Sequence, residues 1–127
     1  MSKRRRKIRP ATHIVDVDGV IVKHLGAGSS VQWDPQKMEL LPHCLEMIDE
    51  WEKNGDTIVL MTARPEVLRG ELVRWLRQNK VYFHALVMDV TSGDRFLYND
   101  RNPPYVTRAI VIERNGELPK GEEDHED

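Results

Sequence analysis

The stretch Thr12-His13-Ile14-Val15-Asp16-Val17-Asp18-Gly19 decides how this chain folds. It opens as a short apolar run and closes on a glycine, the form of a buried strand that ends abruptly. Two carboxylates two residues apart are poor packing material. Gly19 relaxes the backbone where the strand stops, so Asp16 and Asp18 can project from the sheet edge. Open α/β sheets place their ligands at that end of their strands.

Reading outward, Val20-Ile21-Val22 continues apolar and gives way to Gly26-Ala27-Gly28-Ser29-Ser30 and then Val31-Gln32-Trp33, which reads as a small hairpin or flap. From Leu41 onward Cys44, Leu45, Ile48 and Trp51 recur at helical spacing, and Asn54-Gly55 supplies a stop. Thr57-Ile58-Val59-Leu60-Met61-Thr62 is β-branched and short enough for a buried parallel strand. Pro65 suits the first turn of a second helix, with Leu68, Leu72, Val73 and Leu76 on one face. Ala85-Leu86-Val87-Met88, Phe96-Leu97-Tyr98 and Ala109-Ile110-Val111-Ile112 supply further strands. This alternation predicts an α/β fold: a three-layer, doubly wound, Rossmann-like parallel sheet of about five strands.

Composition bounds the rest. With 127 residues, 39% hydrophobic and 31% charged, the chain suits one domain with one modest core, folding alone or as a small homo-oligomer. Cys44 is the only cysteine, which excludes an intrachain disulfide and an all-thiolate zinc site and suits a reducing compartment. No apolar run approaches the roughly 20 residues that span a bilayer, and no hydrophobic region follows the charged N-terminus, so a cytoplasmic protein without a membrane partner is expected. The net charge of −2 hides a segregation. Lys3-Arg4-Arg5-Arg6-Lys7 with Arg9 forms a basic arm over residues 1–11, and residues 119–127 form an acidic tail; both read as disordered blocks around a domain at 12–118. The arm offers either a nucleic-acid contact through Lys3–Arg9 or a solvated terminus that aids solubility.

Asp16 and Asp18 need something to offset their repulsion, and a divalent cation is the obvious candidate, with Mg2+ suited to an oxygen-only site. Asp100, after the Phe96-Leu97-Tyr98 strand, offers a third carboxylate. A calcium loop opening at Asp16 fails, because Ile21 and Ala27 occupy the positions that need glycine and glutamate. Thr62 alone is compatible with a helix cap and Asn99-Asp100 alone with a turn; their order and spacing after Asp16 carry the case for a site. The five histidines lack metal-ligand spacing, although His24 in the flap stands where a substrate could touch it. Trp33, Trp51 and Trp75 read as core or subunit-contact residues, and Cys44 as an inert residue on a buried helix face.

Together these residues resemble the haloacid dehalogenase superfamily of phosphohydrolases, over roughly Thr12 to Leu118. The resemblance implies that Asp16 is the nucleophile forming an aspartyl-phosphate and that Asp18 acts as general acid and base. Thr62, in Val-Leu-Met-Thr62-Ala63-Arg64, fills the second motif as a phosphate ligand, and Ala63-Arg64 looks like the smaller members that carry Thr-Ala-Arg. Asn99-Asp100 is a variant of the acidic pair; Asp100 would ligate Mg2+ with Asp16 and the main-chain carbonyl of Asp18, with Asn99 secondary. The domain that covers the site in many relatives is missing, leaving only the flap. The family's lysine is also missing from Met88-Asp89-Val90-Thr91-Ser92-Gly93-Asp94-Arg95. Arg95 is the nearest substitute and Arg64 a second, although a planar guanidinium is not a point charge.

The implied function is a magnesium-dependent phosphomonoesterase acting on a sugar phosphate or on a nucleotide or nucleic-acid phosphate. Two alternatives accompany it. One is a polynucleotide 3′-phosphatase or nucleic-acid-end processing protein that uses the basic arm. The other is a catalytically impaired phosphate-binding protein that kept the fold without the lysine.

Overall fold

A computed structural model of the chain describes residues 9–26 and 28–116. The bulk of the basic arm, residue 27 of the flap and the acidic tail therefore lie outside the described residues. Strand β1 (Thr12–Asp16) leads into the flap, which holds the short helix α1 (Ser29–Gln32). Helix α2 (Cys44–Lys53), strand β2 (Thr57–Met61), helix α3 (Arg69–Gln78) and strand β3 (Ala85–Val87) follow.

The segment Val20–Trp33 does not close on itself as a hairpin, because Ser29–Gln32 is helical and Val22 pairs beyond Trp33 instead. Val22 bridges Leu40 in antiparallel fashion, Lys23 N–H donates to the Glu39 carbonyl at 2.8 Å, and Leu41 N–H donates to the Ile21 carbonyl at 2.9 Å. The helix signals held. α2 ends at Asn54, and Gly55 takes the left-handed φ of 81° that a C-terminal stop favours. α3 buries Leu72 and Leu76 after a single 3₁₀ turn over Glu66–Leu68.

The strands run parallel in the order β1-β2-β3. A parallel crossover is right-handed, so two crossovers stepping in the same direction place both helices on the same face. The burial pattern shows it. Val15, Ile58, Leu60 and Leu86 share one face and join Cys44, Met47, Ile48, Leu72 and Leu76 in a single core. On the opposite face Thr12, Ile14, Thr57, Ala85 and Val87 are exposed, Ile14 by 52%.

Two expectations are corrected here. The Rossmann-like strand–helix alternation is present, but as two layers and three strands among the described residues rather than three layers and five strands. Phe96-Leu97-Tyr98 and Ala109-Ile110-Val111-Ile112 form no strand, and residues 91–111 are exposed throughout. A triplet of β-formers has β character only when a neighbouring strand receives it. Between these two runs lie Asn99-Asp100-Arg101-Asn102 and Pro103-Pro104, which supply turn chemistry and remove two donors. The outer edge of β1 consequently has no ladder partner among the described residues. Thr57 N–H donates to the Ala11 carbonyl and Val17 N–H to the Met61 carbonyl, so the odd-numbered residues of β1 face β2 and the even-numbered ones face away.

Candidate active site

The C-terminal ends of all three strands meet at one edge. The turn after β2 is sewn to the turn after β3: Thr62 N–H donates to the Val87 carbonyl (2.9 Å), Val90 N–H to the Thr62 carbonyl (3.0 Å) and Asp89 N–H to the Arg64 carbonyl (2.9 Å). Asp89 takes a left-handed φ of 60°, which Asp tolerates better than most residues. Its carboxylate accepts the Glu66 N–H at 3.0 Å, where the chain turns toward α3.

These turns, with the Gln32 side chain at the end of α1, build a socket for Asp18. Its Oδ1 accepts from Arg64 Nη2 at 2.8 Å and Gln32 Nε2 at 2.9 Å. Its Oδ2 accepts from the Thr62 hydroxyl at 3.0 Å and Arg64 Nε at 3.3 Å. Arg64 is only 2% exposed and also donates to the Gln32 carbonyl at 3.1 Å. A buried guanidinium demands a partner of opposite charge, and a two-oxygen carboxylate matches its fork. Thr62 Oγ1 in turn accepts the Arg64 N–H at 3.1 Å, which makes the Thr62-Ala63-Arg64 turn self-supporting.

Asp16 is treated differently. No side chain among the described residues donates to it, and burial raises its pKa above the ordinary aspartate value. The Arg95 charge opposes that shift, the Asp18 charge adds to it, and His24 and the Val17 N–H oppose it more weakly. Arg95 itself is exposed and donates to the Thr91 carbonyl at 2.6 Å.

The sequence-derived residues thus divide. Asp16, Asp18, Thr62, Ala63 and Arg64 come together at the sheet edge, and Arg95 lies within electrostatic range of Asp16. Arg64 sits behind Asp18 rather than open to a phosphate. Asn99 and Asp100 are not brought in: both lie on the exposed stretch, where Asn99 donates to the Thr107 hydroxyl at 2.6 Å. Among the described residues no three metal-ligating side chains gather, so the Asp16, Asp18, Asp100 set is not assembled. Sequence reading missed Gln32, Asp89 and Asn115. Gln32 and Asp89 carry no local signal, because each acts on a residue distant in sequence.

No protein-family model matches the sequence, and neither does any curated protein. Among solved structures the chain is similar to a chain of the Pnkp1/Rnl/Hen1 complex, with a TM-score of 0.53 and 18% identity over 75% of this chain and 33% of that one. At that identity the likeness is one of fold, and the chain spans about a third of the other's length. No helix among the described residues is long and apolar enough to cross a membrane.

Proposed function

We propose that the chain is a phosphomonoester hydrolase of the haloacid dehalogenase type, with Asp16 as the nucleophile. The observation that carries the reading is the contrast between two carboxylates two residues apart. Asp18 accepts four hydrogen bonds from three side chains, whereas Asp16 stands at the strand end with no side-chain donor among the described residues. A free, partly desolvated carboxylate beside a cation suits attack on a phosphorus atom better than one locked in a socket.

In this mechanism an Asp16 oxygen attacks the phosphorus as the bond to the leaving oxygen breaks, leaving an aspartyl-phosphate that water hydrolyses. Arg95 neutralises charge on the transferred group in the position left by the missing lysine. Asp18 delivers the proton to the leaving oxygen and takes one from water. To do so it exchanges one donor for the reacting oxygen, and Gln32, a neutral group carried by the flap, is the cheapest to displace. Mg2+ fits in part. The Asp16 carboxylate and the Asp18 main-chain carbonyl, which accepts no hydrogen bond from the described residues, are oxygen donors of the kind it takes alongside water and phosphate. When bound, it supplies charge neutralisation between Asp16 and the incoming phosphate. Asp100 is not among the donors gathered here.

A polynucleotide end is the second substrate reading, compatible with the fold likeness to the Pnkp1/Rnl/Hen1 chain. The test is phosphate release from sugar phosphates, nucleotides and 3′-phosphorylated oligonucleotides, with Mg2+ or EDTA, comparing the native chain with Asp16→Asn. Magnesium-dependent release that the substitution abolishes is expected, and the preferred substrate then separates the two classes. Release that survives Asp16→Asn overturns the assignment. Phosphate binding without any release supports the impaired binding protein instead.

A further inference from the structure

The tripeptide Lys23-His24-Leu25 in the flap is held by two side-chain amides that arrive from elsewhere in the chain. Asn115 Oδ1 accepts the His24 N–H at 2.6 Å and Asn115 Nδ2 donates to the His24 carbonyl at 2.8 Å. Gln32 Oε1 accepts the Leu25 N–H at 2.6 Å and Gln32 Nε2 donates to the Lys23 carbonyl at 3.1 Å. Both residues also reach the Asp16–Gly19 segment: Gln32 Nε2 donates to Asp18, and the Asn115 main-chain N–H donates to the Gly19 carbonyl at 2.8 Å. His24 is thereby fixed relative to the two carboxylates. A substrate-contacting group gains from being held in place in this way.

The imidazole is oriented as well. Gly26 N–H donates to Nδ1 at 3.0 Å, so Nδ1 is the unprotonated nitrogen and Nε2 carries the proton of the neutral ring. No described residue partners Nε2. The ring is only half-buried, so it does not serve as core filling. It lies near Asp16, close enough that a protonated ring would lower the Asp16 pKa.

We propose that His24 is a substrate-binding residue whose Nε2–H donates to a phosphate oxygen of a phosphomonoester seated at Asp16, with Asn115 and Gln32 as its positioning residues. The proposal rests on the phosphohydrolase reading above and adds a donor carried by the flap. It gives the flap a chemical task at the site.

The test uses inorganic phosphate with MgCl2 as the probe. In the native protein, labelled with 15N at histidine, the His24 Nε2–H resonance is expected to shift as phosphate is added. Calorimetry should show phosphate affinity falling about tenfold or more in His24→Ala, the scale of a lost hydrogen bond to a charged group. His24→Gln, which keeps an N–H donor near the same place, should recover part of the affinity. Asn115→Ala should weaken binding less, and His24→Ala/Asn115→Ala no more than His24→Ala alone, because the amide acts through the ring. Thermal melts confirm that each variant is folded. Native-like affinity in His24→Ala, or an Nε2 resonance indifferent to phosphate, overturns the proposal. If Asp16→Asn also abolishes turnover, only the His24 assignment falls. If turnover survives Asp16→Asn, the phosphohydrolase reading falls and this proposal falls with it.

Discussion

Replacing Arg64 by methionine tests the socket around Asp18 directly. Methionine keeps much of the aliphatic volume while removing the guanidinium, which donates to Asp18 Oδ1 at 2.8 Å, to Asp18 Oδ2 at 3.3 Å and to the Gln32 carbonyl at 3.1 Å. Asp18 is left with the Thr62 hydroxyl and the Gln32 amide as donors, and its side chain is 15% exposed. Removing one partner of a buried ion pair costs about 3–5 kcal/mol, and two surviving donors with some solvent access put this case near the lower end, ~3 kcal/mol. At roughly 4–8 °C per kcal/mol for a domain near this size, Tm should fall by about 12–24 °C.

The assay is thermal and urea unfolding of the native chain, Arg64→Met, Asp18→Asn and the double variant. In the double variant both charges are gone, and the asparagine oxygen can still accept from Thr62 and Gln32. It should therefore be more stable than Arg64→Met alone, with a coupling of at least about 2 kcal/mol in the cycle. A Tm for Arg64→Met within about 4 °C of native, or additive single effects, would refute the socket as the element that holds these turns together.

Three further outcomes follow from the same geometry. The raised pKa of Asp16 means that the folded state holds its proton more tightly than the unfolded one. Its contribution is therefore fully present below the unfolded pKa and is lost as pH rises through the folded pKa, so Asp16→Asn in EDTA should raise Tm at pH 7 and lose that advantage near pH 4, as paired melts will show. Asp56 is the opposite case. Burial pushes its pKa up, but Ala11 N–H, His13 Nε2 and Asn54 Nδ2 donate to its carboxylate at 3.0, 2.7 and 2.8 Å and bring the pKa below the usual value. Asp56→Ala should cost about 3 kcal/mol at pH 7 through the orphaned donors, and the deficit should narrow as pH falls through the folded pKa, read by urea unfolding at several pH values. Finally, hydrogen exchange at Ile14 and Asp16, which face away from β2, should be much faster than at His13 and Val15, which face it. Equal protection would place another strand on that edge.

That last experiment bears on what the sequence could and could not tell. The first strand, both crossover helices and the next two strands were legible, because each is a local pattern: β-branched runs at Thr57–Met61, helical recurrence of Leu72 and Leu76, and a stop at Asn54-Gly55. Layer number is not local. It depends on the direction in which successive crossovers step, and the order β1-β2-β3 puts both helices on one face. The later runs at Phe96 and Ala109 suggest strands by composition alone. Composition does not say whether β1 receives them, and among the described residues it does not.

The site shows the same division more sharply. Asp16 and Asp18 are equivalent as residue types, two carboxylates flanking Val17, and composition does not say which of them the fold anchors. Tertiary structure separates them. Thr62 and Arg64 arrive from the end of β2 and Gln32 from the end of α1, and all three fall on Asp18. The alternation of a strand, which turns successive side chains to opposite sides, gives residues 16 and 18 a common side; Gly19, at φ 95°, then bends the chain directly behind Asp18. One carboxylate is thus drawn into the turn and the other left at the edge. Arg64, expected from its motif to grip a phosphate, instead pairs with the Asp18 carboxylate. Asp16 is then the carboxylate left at the strand end without a side-chain donor among the described residues.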